Sequence, residues 1–242
     1  MHRPFAWIAV AALGAAVSGV QEPRAESSPA DARPAPGAPP RVRADDLAVL
    51  VVDVQPQFVD AMAGPAAPVL ERIEQLLLRA DLRGVPVVAT VERVRRGEPR
   101  SVDRVVAALP EGSPVFVKST FDATREPEIA AALRALGRRQ IAVVGCETDV
   151  CVLQTVLGLL DLGFETFLVE DAIFSLEGNV GPALRRMQAA GAVPTTFKTL
   201  HFEMEERVGA GPGDAARRAR FERLRQRLRD PYDLTPSAPS AR

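Results

Sequence analysis

The chain is short of the residues that carry most metal and redox chemistry. Of its 242 residues only two are cysteine and two are histidine. A structural zinc site takes about four Cys or His ligands. The histidines, His2 and His201, stand near opposite ends of the chain, so the sequence predicts no metal centre. Cys146 and Cys151 lie five positions apart, which is not the C-x-x-C spacing of thiol oxidoreductases. A bridge between them would close a very small loop and constrain little of the unfolded chain. No G-x-G-x-x-G follows the first apolar strand, so a dinucleotide-binding oxidoreductase lacks its phosphate-binding turn. Gln55 stands two residues after Asp53, where an aspartyl-phosphate phosphatase would need a second Asp. The formal net charge of −1 excludes a molecule built to track a nucleic-acid backbone.

Long hydrophobic runs are also missing. The apolar stretch from about Pro4 to Val17 falls short of the roughly 20 residues a membrane span needs. A basic start, this apolar run and the small residues after it follow the plan of a secretory signal over residues 1–19. An uncleaved anchor is the alternative; no cysteine at the boundary offers a lipid site. Export to the periplasm or the extracellular space is expected. Residues 20–44 are rich in Pro, Ala and charge without periodicity and read as a tether.

What remains alternates in type. Short β-branched runs at 47–53, 85–90, 114–119, 140–145, 165–171 and 192–197 predict strands. Helical spacing over 67–84, 101–112, 126–139, 151–163 and 180–191 predicts helices between them. Ser101 is the expected cap of the second helix, and the helix at 151–163, apolar almost all round, is expected to be buried. Strand then helix, repeated, predicts an α/β, Rossmann-like three-layer sandwich with a six-stranded parallel sheet. Ligands in such sheets bind outside the carboxyl ends of the strands.

At those ends stand a carboxylate, an ammonium and a thiol. Asp53 closes strand one, Lys118 closes strand three, and Cys151 opens the helix after strand four. Singly, each has an ordinary explanation: a turn cap, a solvated cation, a small buried hydrophobe. Together they form a coherent nucleophile. Lys118 and the helix N-terminus would hold Cys151 as thiolate, and Asp53 would take its proton and return it to a leaving nitrogen. Backbone N–H groups of Glu147 and Cys151 would form an oxyanion hole. Glu92 and Arg93 end strand two on the same edge and either select substrate or are merely solvated. Phe58 and Phe121 either wall the pocket or pack the core.

"LVVDVQPQF", "VFVKSTFDAT" and "VVGCETDVCVLQT" resemble the three signature segments of the isochorismatase-like cysteine hydrolases over roughly residues 45–205. The resemblance implies Asp53, Lys118 and Cys151 as a catalytic triad and a cis peptide joining Cys146 to Glu147. It also implies a homo-oligomer and a small-molecule substrate, and gives Cys146 a structural role. The metal motif of nicotinamidases has no counterpart in "ATVERVRRGEPR", so no cofactor is expected. The expectation is a hydrolase of a small amide or related C–N bond; a non-catalytic scaffold of the same fold is the alternative. Beyond the domain, residues 209–242 form a basic extension, helical over 213–230. Its apolar stripe and seven arginines suit either an anionic membrane surface or packing on the core or on a second subunit.

Overall fold

The computed structural model describes residues 40–94 and 97–205, together with Ala219 and Glu222. The expected signal, nearly all of the tether and most of the basic tail lie outside the described residues.

Six strands form one parallel sheet in the order β3-β2-β1-β4-β5-β6. They are β1 (Leu47–Val52), β2 (Val87–Glu92), β3 (Val115–Lys118), β4 (Gln140–Cys146), β5 (Glu165–Phe174) and β6 (Val193–Thr195). Helices α1 (Pro56–Ala61), α2 (Ala66–Arg83), α3 (Asp103–Ala108) and α7 (Phe197–Glu205) are joined by α4 (Pro127–Ala135), α5 (Leu153–Asp161) and α6 (Gly181–Ala189). The expected α/β sandwich is what forms.

Strand alternation builds the two layers. Leu47, Val49 and Val51 of β1 face a core shared with α2, α3 and α7. Ala48, Leu50 and Val52 face a second core shared with α4, α5 and α6. Because both faces are covered, β1 is apolar throughout rather than alternating. Ile73, Leu76 and Leu77 of α2 are fully buried, and each contributes roughly 1.5–3 kcal/mol by leaving water. Packing on the first face reaches back to Val42, whose N–H donates to Glu203 Oε2 at 3.1 Å. Among the described residues no helix is long and apolar enough to cross a membrane.

Several boundaries differ from expectation. Strand two begins at Val87, not Val85, because the Val85 N–H closes helix α2 onto Ala80 O and Pro86 has no N–H to offer the ladder. Ser101 does not cap α3; the cap is Val102 and Ser101 is buried. The helix expected at 126–139 ends at Ala135. Strand five runs on to Phe174, past a register shift opposite Val143 and Gly145. The helix expected from 151 starts earlier, with a π turn over Thr148–Val152. Helices α1 and α7 lie outside the expected elements, and strand six stops at Thr195, so that α7 begins at Phe197.

Candidate active site

The strand order reverses between β1 and β4, and a crevice at the carboxyl ends is the ligand position such a reversal creates. Asp53 follows β1 immediately. Its φ of +49° is in the left-handed region, where Asp is tolerated better than most residues, and this turns the chain sharply out of the sheet. Gly145 lets β4 approach that turn: a Cβ there would overlap the Val52 carbonyl oxygen, and its φ is +114°. The peptide between Cys146 and Glu147 is cis, as the resemblance implied.

Lys118 ends β3 in register with Glu92 of β2, and both Asp53 and Lys118 are fully buried. Lys118 Nζ lies 2.6 Å from Asp53 Oδ2. It donates to Thr120 O at 3.0 Å and to Cys151 Sγ at 3.5 Å. Asp53 Oδ1 accepts the Thr90 hydroxyl at 2.9 Å. Cys151 is 3% exposed, and its thiol donates to Glu92 Oε2 at 3.6 Å. Gln55, fully buried, clamps Glu92 by its backbone: Glu92 N–H donates to Gln55 Oε1 at 2.6 Å, and Gln55 Nε2 donates to Glu92 O at 3.1 Å.

The structure thus gathers Asp53, Lys118, Cys151 and Glu92. Phe58 and Phe121 are not in this bonded group. Phe58 packs half-buried against the α2-side core, while exposed Phe121 lines an open groove of about 480 Å³ beside α5. Glu147, the residue after the cis bond, opens the π turn: its carbonyl accepts from Val150 and Val152 N–H at 3.1 and 3.0 Å. Its side chain accepts from Ser175 Oγ at 3.4 Å and Leu176 N–H at 3.3 Å, tying the turn to the end of β5. Beside it a cavity of about 310 Å³ is lined by Met62, Thr148, Ile173, Phe174 and Ser175. Thr90 and Gln55 were missed in the sequence. The Gln-x-Gln after Asp53 carries no periodic signal, and Thr90 reads as an ordinary strand residue.

Opposing electrostatic influences meet at Cys151. Burial pushes the Cys151 thiol up, the Lys118 ammonium opposes it, and the charges of Asp53 and Glu92 raise it further, to about 12. Burial and the two carboxylates thus work against the thiolate that the sequence suggests, and Lys118 works for it. Burial also works against the Lys118 ammonium, but the charge and hydrogen bond of Asp53 outweigh it and hold Lys118 above its ordinary value. Cys146 is free and buried in the α2-side core, whereas Cys151 belongs to the opposite layer, and burial raises the Cys146 thiol strongly.

Asp53, Glu92 and Cys151 also offer three metal-ligand atoms within 4.8 Å of one another. The Lys118 ammonium already stands against Asp53 and Cys151, and a metal cation would have to sit beside that positive charge.

Comparison with known proteins agrees with this fold. The family model for the isochorismatase domain matches residues 47–199. A secreted isochorismatase effector, Isc1, from Phytophthora sojae is 30% identical over 166 residues, 66% of this chain and 78% of the effector. Isochorismatase domain-containing protein 1 of Salmo salar is 34% identical over 133 residues, 54% of this chain but only 46% of the fish protein, so the match spans less than half of that relative. Among solved structures, the MAR1 ribonuclease of Caenorhabditis elegans superposes with a TM-score of 0.66 at 24% identity, covering 82% of this chain and 99% of that one. The Escherichia coli YcaC gene product, described as an octameric hydrolase of unknown specificity, gives 0.67 at 23% identity, covering 81% and 98%. The fold, the matched domain and the sequence relatives agree: this chain belongs to the isochorismatase family of hydrolases.

Proposed function

We propose that the protein is a cysteine-dependent hydrolase of a small amide or related C–N bond, acting through a thioester on Cys151. The observation that carries this reading is the buried Asp53–Lys118 pair, with Lys118 Nζ donating to Cys151 Sγ. The Cys151 thiol proton passes to Asp53 as sulfur attacks the substrate carbonyl carbon. Lys118 stabilises the sulfur anion while it forms. N–H groups of Glu147 and Cys151 receive the oxyanion; losing one such donor costs about 10²–10³ in rate. Collapse breaks the C–N bond, and Asp53 returns the proton to the leaving nitrogen. Water, deprotonated by Asp53, then cleaves the thioester and restores the thiol.

A panel of small amides, ureas and carbamoyl compounds, assayed for released amine or ammonia with wild type and Cys151→Ala, tests the reading. Release by wild type alone supports it; equal release by the variant contradicts it, and release by neither leaves the non-catalytic scaffold. A homo-oligomer is the companion proposal, supported by the octameric description of the Escherichia coli neighbour and checked by light scattering. Export is a second companion, supported by the basic, apolar and small-residue plan of residues 1–19. Contact of the basic tail with an anionic membrane is a third, supported by its arginine-rich composition and checked by vesicle co-sedimentation.

A further inference from the structure

The site holds one more negative charge than its triad needs. Lys118 is engaged by Asp53 at 2.6 Å, Thr120 O at 3.0 Å and Cys151 at 3.5 Å. Asp53 therefore has its cation. Glu92 does not: among the described residues its carboxylate forms no ion pair, and its side-chain hydrogen bond is the weak one from the Cys151 thiol at 3.6 Å. The neighbouring Arg93 is exposed and donates its Nε to Ser119 Oγ at 3.1 Å. Nor is Glu92 a loose surface group. Gln55 holds both its N–H and its C=O, and its position on β2 pairs it with Lys118 of β3.

A fixed, half-buried carboxylate beside the nucleophile resists formation of a second anion on sulfur. It also creates a place for a cation. From this we infer that Glu92 is the specificity-determining residue, and that the substrate is a small amide carrying a cationic ammonium, amidinium or guanidinium group. When that group settles on Glu92, the repulsion between carboxylate and incoming sulfur anion is relieved. Binding the right substrate then makes the thiol easier to ionise, and the empty site stays protonated and quiet. This rests on the cysteine-hydrolase reading above.

The probes are three methanethiosulfonates of similar size: cationic 2-aminoethyl, neutral methyl and anionic 2-sulfonatoethyl. Modification rates at Cys151 are followed by mass mapping of folded full-length protein. They are normalised to the denatured chain, with Cys151→Ala as the blank. Relative to the neutral reagent, the cationic one is expected to gain about tenfold and the anionic one to lose about tenfold, the size of one opposed charge at short range. Glu92→Gln, which keeps shape and removes charge, is expected to collapse the cation-to-anion ratio toward that of the denatured chain. No charge preference in wild type, or a preference for the anion, overturns the inference without touching the hydrolase reading. A cation preference that survives Glu92→Gln also overturns it. If no reagent modifies Cys151 above the blank, the inference is overturned, because even a cation then fails to activate the sulfur; the amide panel decides the hydrolase reading on its own.

Discussion

The two ends of the sheet carry similar charges in different settings. At the amino end, Asp46 receives Arg139 through its backbone N–H at 2.9 Å and its guanidinium at 2.8 Å, and Arg43 at 2.6 Å. Gln140 links this cluster to Arg41 O at 2.8 Å and Glu165 at 2.6 Å. Burial alone would raise the Asp46 carboxyl, but Arg139 and Arg43 together hold it below the usual carboxylate range. At the carboxyl end, Asp53 and Lys118 are fully buried, and a thiol and a second carboxylate crowd the single cation. One cluster is well partnered, with its arginines reaching water; the other is dry, strongly perturbed and short of positive charge. Perturbation of that kind, placed in a cleft, marks chemistry better than the mere presence of charged residues does.

Substitutions can break this contrast. The largest expected effect is that of Lys118→Met, which leaves the buried Asp53 carboxyl without its cation. A loss of about 3–5 kcal/mol in urea unfolding is predicted, together with loss of turnover. Asp46→Asn should cost less, about 2 kcal/mol, because it removes charge-assisted hydrogen bonds in a partly solvated cluster. It should leave Cys151 modification rates unchanged, and a change there would join the two ends functionally. The two ends also respond to pH in opposite directions. Asp46 has a lowered folded-state value, so its contribution is present above the ordinary Asp range near about 3.9 and is lost as pH falls through the folded value. Lys118 has a raised value, so its contribution is full below the ordinary Lys value of about 10.4 and is lost as pH climbs through the folded value. Unfolding free energies across pH, compared between wild type and Asp46→Asn, should show the acid limb flattened in the variant. A smaller signal sharpens the comparison further: ultraviolet thiolate absorbance, wild type minus Cys151→Ala, should be absent at neutral pH and rise only toward about 12.

The sheet and the meeting of Asp53, Lys118 and Cys151 were legible because each rests on local pattern. Apolar runs such as Leu47–Val52 announce a strand buried on both faces, and strand ends in a parallel sheet share one edge. The cross-strand details were not legible. That Thr90 orients Asp53 and that Gln55 grips Glu92 depends on register between β1 and β2, which no spacing within either segment encodes. Helix α1 is six residues long with no fully buried side chain, so it shows no apolar stripe, and α7 follows β6 after a single residue, inside the run that reads as strand. The opposing influences on Cys151 were only half legible, because residue types reveal the cation beside a sulfur, whereas the depth of its burial is set by α5 and the second core layer. Gly158 on α5 illustrates that dependence: a Cβ there would overlap Thr124 and Asp122, whose turn follows Lys118 directly.

The most direct test traps the intermediate. Wild-type protein turning over an amide found in the panel is quenched in acid within one turnover and mapped by mass. The account predicts the substrate's acyl mass on the peptide at Cys151, absent from Cys151→Ala and from Cys146. Product formation with an unmodified Cys151 at every quench time, and at an equal rate in Cys151→Ala, would contradict it.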